Sequence, residues 1–208
     1  MSQAATRAGR DPRDVTLVAV TKGVRVEAMS AAIEAGLRVF GENRVQEALK
    51  KSKELGFAGI RWHMIGHLQK NKAKPAVGLF EMIHSLDSAE LAGEINKHAS
   101  ALGKTQRALV EVKLSPEASK TGIEKERLGA LLEAAGGMKN LKVEGLMAMP
   151  PYSDNPEDSR PYFRELRKLA LSFGLRELSM GMSGDFEVAI EEGATLIRIG
   201  SAIFGGRT

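Results

Sequence analysis

In the segment TLVAVTKG, Lys22 stands directly after a run of apolar and β-branched residues. Such a run reads as a strand buried on both faces. An ammonium at its end is costly unless it is paired or put to use. A lysine whose amine is depressed by burial, or by a neighbouring cation, becomes a nucleophile that condenses with aldehydes. The competing reading is a lysine that snorkels to water or pairs with Glu42. Two further stretches carry chemistry. SMGMSGDFEVAI passes from a strand through Gly181, Met182, Ser183 and Gly184 into a helix, and RIGS ends a strand with Gly200 and Ser201. Ser183 is expected to cap the helix, and Gly184 to admit a ligand close to the backbone. Both turns are small and rich in donors, as a phosphate site requires, although a capped turn needs the same residues.

Arg198 lies inside the apolar run TLIRIGSAIF, where alternation turns it to the same face as Gly200. A guanidinium facing a core needs an acceptor. A pyridine nitrogen would serve, and so would an internal carboxylate such as Glu144 or Asp185. Arginine does not give up its proton, so a ring nitrogen facing it stays unprotonated and the ring is a weak electron sink. An aldehyde, a phosphate and a pyridine nitrogen together describe pyridoxal 5′-phosphate, the cofactor these residues lead us to expect.

The elements that must place these groups are strands alternating with helices. Strands are expected at 17–21, 39–41, 62–65, 82–85, 108–112, 143–147, 177–180 and 196–199, with helical periodicity between them and glycines near most helix ends. The stretch 69–79 is the weakest helix, because Pro75 interrupts it. Eight strand-helix repeats without hairpin signals point to a parallel sheet. In about 200 residues they fit a single closed (β/α)8 TIM barrel spanning 1–208, with an open doubly wound sheet as the rival. In such barrels the chemistry gathers at the C-terminal strand ends, and phosphate after strands seven and eight.

Bulk properties narrow the class. The 208 residues carry a net charge of +4, and the acidic residues are interspersed with the basic ones. Only KKSK (50–53) and KNKAK (70–74) cluster, and both read as solvated faces. With 5% aromatic residues there are few platforms for stacked bases, so no nucleic-acid partner is expected. There is no cysteine, no run long enough for a membrane span and no signal-peptide core. A cytoplasmic monomer is the expectation. His63 and His67 are four apart but lack a carboxylate companion, so no metal is expected. Ser119 and Lys120, in SPEASKTG, offer a ligand's edge a contact, but an ordinary loop after strand five is the favoured reading.

Together, LVAVTK, FGENRVQEALKK, WHMIGHLQKNK, HSLDS, EASKTGI, VEGLMAM, FRELRKL and LSMGMSGDFEVAIEEGATLIRIGSAIFG resemble the pyridoxal phosphate homeostasis protein family. That family shares the barrel of bacterial alanine racemase, pyridoxal phosphate fold type III. The resemblance implies the cofactor held on Lys22 as an internal aldimine, Arg198 facing the pyridine nitrogen, and Ser183, Gly200 and Ser201 holding the phosphate. It further implies Asn43 and Met147 lining the ring and Gly184 in the loop near the phosphate. The sequence departs from the family in a short stub, Ser2 to Gly9, where members usually carry a full helix. Loss of that helix is expected to expose part of the barrel's flank. It also has Thr21 before the lysine in place of serine, and Gly23-Val24-Arg25 after it.

The racemases use a second acid/base, a tyrosine from a C-terminal β-domain, which is expected to be missing here. The two tyrosines, Tyr152 and Tyr162, fall in or after the proline-rich loop PPYSDNPEDSRPYF. The expected function is a non-catalytic holder of pyridoxal phosphate in vitamin B6 and amino-acid homeostasis, with apo-enzymes as possible recipients. The alternative is a racemase-like enzyme acting on a small amino acid.

Overall fold

A computed structural model describes residues 1–56, 59–114 and 121–205. Strand β1 (Thr16–Val20) pairs in parallel with both β2 (Val39–Glu42) and β9 (Leu196–Ile199). The ring continues through β3 (Arg61–Met64), β4 (Met82–Leu86), β5 (Gln106–Lys113), β7 (Leu141–Met147) and β8 (Glu177–Ser179). Pairing of β4 with β5 closes it, so the doubly wound alternative is excluded. A two-residue strand, β6 (Ile123–Glu124), pairs with the end of β5 outside the ring.

Parity along each strand sorts the side chains into two cores. Val18, Val39, Met82, Leu109, Met147 and Leu196 point inward and fill the lumen together with Ile65. Their neighbours Ala19, Phe40, Ile83, Val110, Leu146 and Ile197 point outward into the larger shell beneath the helices. The strands therefore read as continuous apolar runs because both faces are covered.

The helices are α2 (Val26–Glu34), α3 (Val45–Leu55), α4 (Ala73–Leu79), α5 (Ala89–Ala101), α6 (Leu128–Gly136), α7 (Arg160–Ser172) and α8 (Phe186–Glu191). A single turn, α9 (Ser201–Phe204), follows β9. Pro75 does not interrupt α4; it occupies the first turn, where its missing N–H is not needed. The N-terminal stub forms α1 (Ser2–Arg7) and covers the flank that was expected to lie open. Its Ala4 and Ala5 are fully buried, and α1 lies against α8. Arg7 reaches Glu187 and Glu191 of α8 at 2.6 and 3.2 Å. No helix among the described residues is long and apolar enough to cross a membrane.

Candidate functional site

Lys22 lies two residues past β1, on a turn whose flanks are held by a buried ionic cluster. Lys51 of α3 donates to the Thr21 carbonyl (2.5 Å), Glu42 Oε1 (2.7 Å) and Glu47 Oε1 (2.6 Å). Thr21 Oγ1 donates to Glu42 Oε1 at 2.7 Å, and the Gly23 N–H donates to Glu47 Oε1 at 2.8 Å. Residues on both sides of Lys22 are therefore clamped to β2 and α3. Glu42 is fully buried, and burial raises its carboxyl above the usual range despite the bonds from Lys51 and Thr21.

Two expectations change here. Lys51 belongs to the KKSK run read as solvated, yet it is 6% exposed. It follows Ala48 by three residues on the buried stripe of α3 that also holds Val45. Lys22, expected to be shielded, is exposed. Glu42, its candidate partner, is taken by Lys51. Among the described residues nothing makes a hydrogen bond or ion pair with the Lys22 ammonium.

A cavity of ≈ 570 Å³ opens at the C-terminal ends of the strands. Lys22, Asn43, Arg198, Ser183, Gly184, Gly200 and Ser201 all line it. On the β8 side, the chain turns at Gly181 with φ +91, and a Cβ there would lie 2.5 Å from that of Ala189. Only glycine allows this turn to pack so closely on α8. Ser183 does not cap α8: the helix begins two residues later than a Ser183 cap would place it, with Asp185 at its N-cap. Asp185 instead accepts from the Met182 N–H at 2.7 Å and from Ser159 Oγ at 2.8 Å, fixing the loop from inside. Ser183 Oγ lies 3.4 Å from the Ala202 N–H, which joins the β8 and β9 turns. The two serine-bearing turns thus form one face of the cavity.

Arg198 points inward, as alternation required, and is 4% exposed. Its Nη1 donates to Ser179 Oγ at 2.6 Å and its Nη2 to the Ala148 carbonyl at 3.0 Å. Neither candidate carboxylate pairs with it. Glu144 faces outward to Arg107 and Lys142, and Asp185 is engaged as described. Burial lowers the guanidinium to about 10, against the pull of Glu111 and Asp185.

Met147 does not line the cavity. It is fully buried in the lumen core one layer below, and Met149, two residues on with the same parity, lines the cavity instead. Tyr152 also lines the mouth but is 88% exposed and donates to Asp154 at 2.8 Å. Ser119 and Lys120 lie outside the described residues.

Several functional candidates were not found from the sequence. Glu111, on β5, lines the cavity at 2% exposure; Thr121 Oγ1 donates to its Oε1 at 2.7 Å, and its Oε2 has no partner among the described residues. Burial raises its carboxyl. His63 and His67 do not form a pair. His63 faces the lumen and contacts His84 (2.9 Å), whereas His67 sits at the rim 3.2 Å from Asp87. Among the described residues no group of three or more His, Asp or Glu side chains is arranged to hold a metal. The inward parity of His84 beside Met82, and of Glu111 beside Leu109, was a legible signal.

Comparison with known proteins places the fold in a family. The family described as alanine racemase, N-terminal domain, matches residues 2–208. The pyridoxal phosphate homeostasis protein of Aquifex aeolicus is 47% identical over 213 residues, covering 100% of this chain and 93% of that protein. That of Escherichia coli is 40% identical over 219 residues, covering 100% and 92%. PipY of Synechococcus elongatus, solved with pyridoxal phosphate bound, superposes with a TM-score of 0.89 at 38% identity, covering 98% of each chain. An alanine racemase from Clostridium difficile reaches 0.76 at 14% identity and covers 55% of its own length, a likeness of fold alone. With relatives this similar along its whole length, the chain belongs to the pyridoxal phosphate homeostasis protein family, built on the barrel of the alanine racemase N-terminal domain.

Proposed function

We propose that the chain holds pyridoxal 5′-phosphate at the barrel mouth, as a carrier in vitamin B6 and amino-acid homeostasis that passes the cofactor to apo-enzymes. One observation carries the reading: an unpaired lysine, a buried arginine and two serine-bearing turns line a single cavity. Its volume is ordinary for a small-ligand site of about 300–1,000 Å³. Lys22 would hold the aldehyde carbon as a Schiff base, Ser183, Gly184, Gly200 and Ser201 the phosphate, and Arg198 the ring nitrogen. Asn43, on the turn after β2, would edge the ring. The turn donors supply most of the phosphate binding, since hydrogen bonds to a charged group contribute about 1.5–3 kcal/mol each. Every group that the site needs comes from one chain, which is consistent with a monomer.

When bound, the cofactor would supply an electrophilic carbon and an electron sink; Arg198, placed to donate to the ring nitrogen, would keep that sink weak. Tyr152 is a poor second acid/base. Its hydroxyl is engaged by Asp154, which raises it above its usual range. These features favour a holder over a catalyst. A racemase-like reading has one observation on its side, the buried carboxyl of Glu111 with a free oxygen at the cavity wall.

Borohydride reduction after addition of pyridoxal phosphate, followed by peptide mapping, tests the site: the pyridoxyl adduct is expected on Lys22, and an adduct elsewhere overturns the assignment. Incubation with amino acids in deuterated water tests the chemistry. Enzyme-like α-deuterium incorporation that is lost in Glu111→Gln would replace the carrier reading with the racemase-like one.

A further inference from the structure

Beneath the cavity floor, four polar side chains from four strands form one unbranched chain across the lumen. Arg198 (β9) donates to Ser179 Oγ (β8) at 2.6 Å, Ser179 Oγ lies 2.8 Å from His84 Nδ1 (β4), and His84 Nε2 lies 2.9 Å from His63 Nδ1 (β3). All four residues are at most 4% exposed. Polar groups in the middle of an apolar lumen are costly unless they are satisfied.

Donor and acceptor chemistry fixes the direction of the chain. Arginine only donates, so Ser179 Oγ accepts from Nη1 and must send its own proton elsewhere. Among the described residues its available acceptor is His84 Nδ1. His84 is then protonated on Nε2 and donates to His63 Nδ1, which leaves His63 protonated on Nε2, a fully buried nitrogen with no partner among the described residues. The reverse polarity would aim the Ser179 hydroxyl proton at the guanidinium N–H. Burial, reinforced by nearby guanidinium charges, keeps both rings neutral: His63 falls to about 3 and His84 well below its usual value.

We propose that Ser179 and His84 are positioning residues for Arg198: a one-way chain of neutral donors and acceptors, anchored at His63, sets the direction in which the guanidinium meets a ring nitrogen. Nη1 is tied to Ser179 and Nη2 to the Ala148 carbonyl, so the fork cannot swing away from the cavity floor.

The first arm of the test needs no cofactor. Nitrogen NMR of the full chain labelled at histidine is expected to show both rings as the Nε2–H tautomer, neither titrating between about pH 8 and 5.5. An Nδ1–H tautomer, or a ring titrating near 6.5, overturns the proposal. The second arm rests on the proposed role of Arg198 and uses pyridoxal phosphate labelled at the ring nitrogen. Ser179→Ala is expected to shift the ring-nitrogen resonance and to raise Kd about tenfold, while Ser179→Thr keeps the wild-type resonance. An unchanged resonance in folded Ser179→Ala overturns the proposal. Should Ser179→Ala fail to fold, the tautomers of the wild-type chain still decide. Absence of an adduct on Lys22 in the wild type would refute the cofactor reading and leave the first arm standing.

Discussion

Replacing Lys51 by methionine removes the cation that joins three acceptors around Lys22. Glu42 then keeps a single donor, Thr21 Oγ1, for two fully buried oxygens, one of them already unpartnered. Stranding a buried partner in this way costs about 3–5 kcal/mol, a large share of the about 5–15 kcal/mol that holds a typical domain folded. The carboxyl can escape part of this cost by taking up a proton. Burial already raises its folded value above the unfolded one, and loss of the ammonium raises it further. The folded variant therefore binds more protons than the unfolded chain, so its deficit is full at about pH 8 and shrinks as the pH falls through the folded value. Glu42→Gln in the same background removes the charge and is expected to restore at least half of the loss. Urea denaturation of wild type, Lys51→Met and the double variant at about pH 8 and 5.5 measures all three terms. The rate of borohydride trapping at Lys22 should fall in Lys51→Met as well, because the Thr21 carbonyl is released. A cost below about 1 kcal/mol at the higher pH, or no recovery in the double variant, refutes the clamp.

Acid should destabilise the barrel through its lumen. His63 is neutral when folded, with a value of about 3 against about 6.5 unfolded, so its contribution is intact above 6.5 and lost as pH falls towards 3. At pH 5 that amounts to about 2 kcal/mol; His63→Leu should flatten this part of the pH profile, and parallel profiles would refute it. Ser183→Ala with Ser201→Ala should weaken pyridoxal phosphate more than tenfold but plain pyridoxal little, as measured by equilibrium dialysis; equal losses would remove the phosphate assignment. Gly181→Ala forces a methyl to 2.5 Å from Ala189 at φ +91. It should cost about 1–3 kcal/mol, read as a lowered Tm.

The eight barrel strands were legible because most are short, largely apolar runs covered on both faces, and their ends fell within two residues of the observed ones. The small, donor-rich turns after β8 and β9 were legible from composition, yet the cap was misassigned: Ser183 and Asp185 are both good capping residues, and α8 begins after Asp185. Arg198 was found by parity within its own strand. Its partner Ser179, on the neighbouring strand β8, was not, nor was His84, which meets Ser179 from β4 across the lumen; no local pattern reports which inward side chains touch. Lys51 escaped for a different reason. A lysine beside Lys50 looks like solvated charge unless the stripe Val45, Ala48, Lys51 is read as one helix face. Met147 and Met149 share a parity, so the sequence could not say which layer meets a ligand.

The packed lumen has a consequence for delivery. Val18, Met82, Leu109, Met147 and Leu196 plug the tube below the cavity, so among the described residues the vessel opens at the C-terminal rim and not through the barrel floor. Under the proposed carrier role, a recipient protein that takes the cofactor directly must dock against that rim, within reach of the loop carrying Tyr152. The helical outer wall, lying away from the doorway, is left free to vary without touching the transfer.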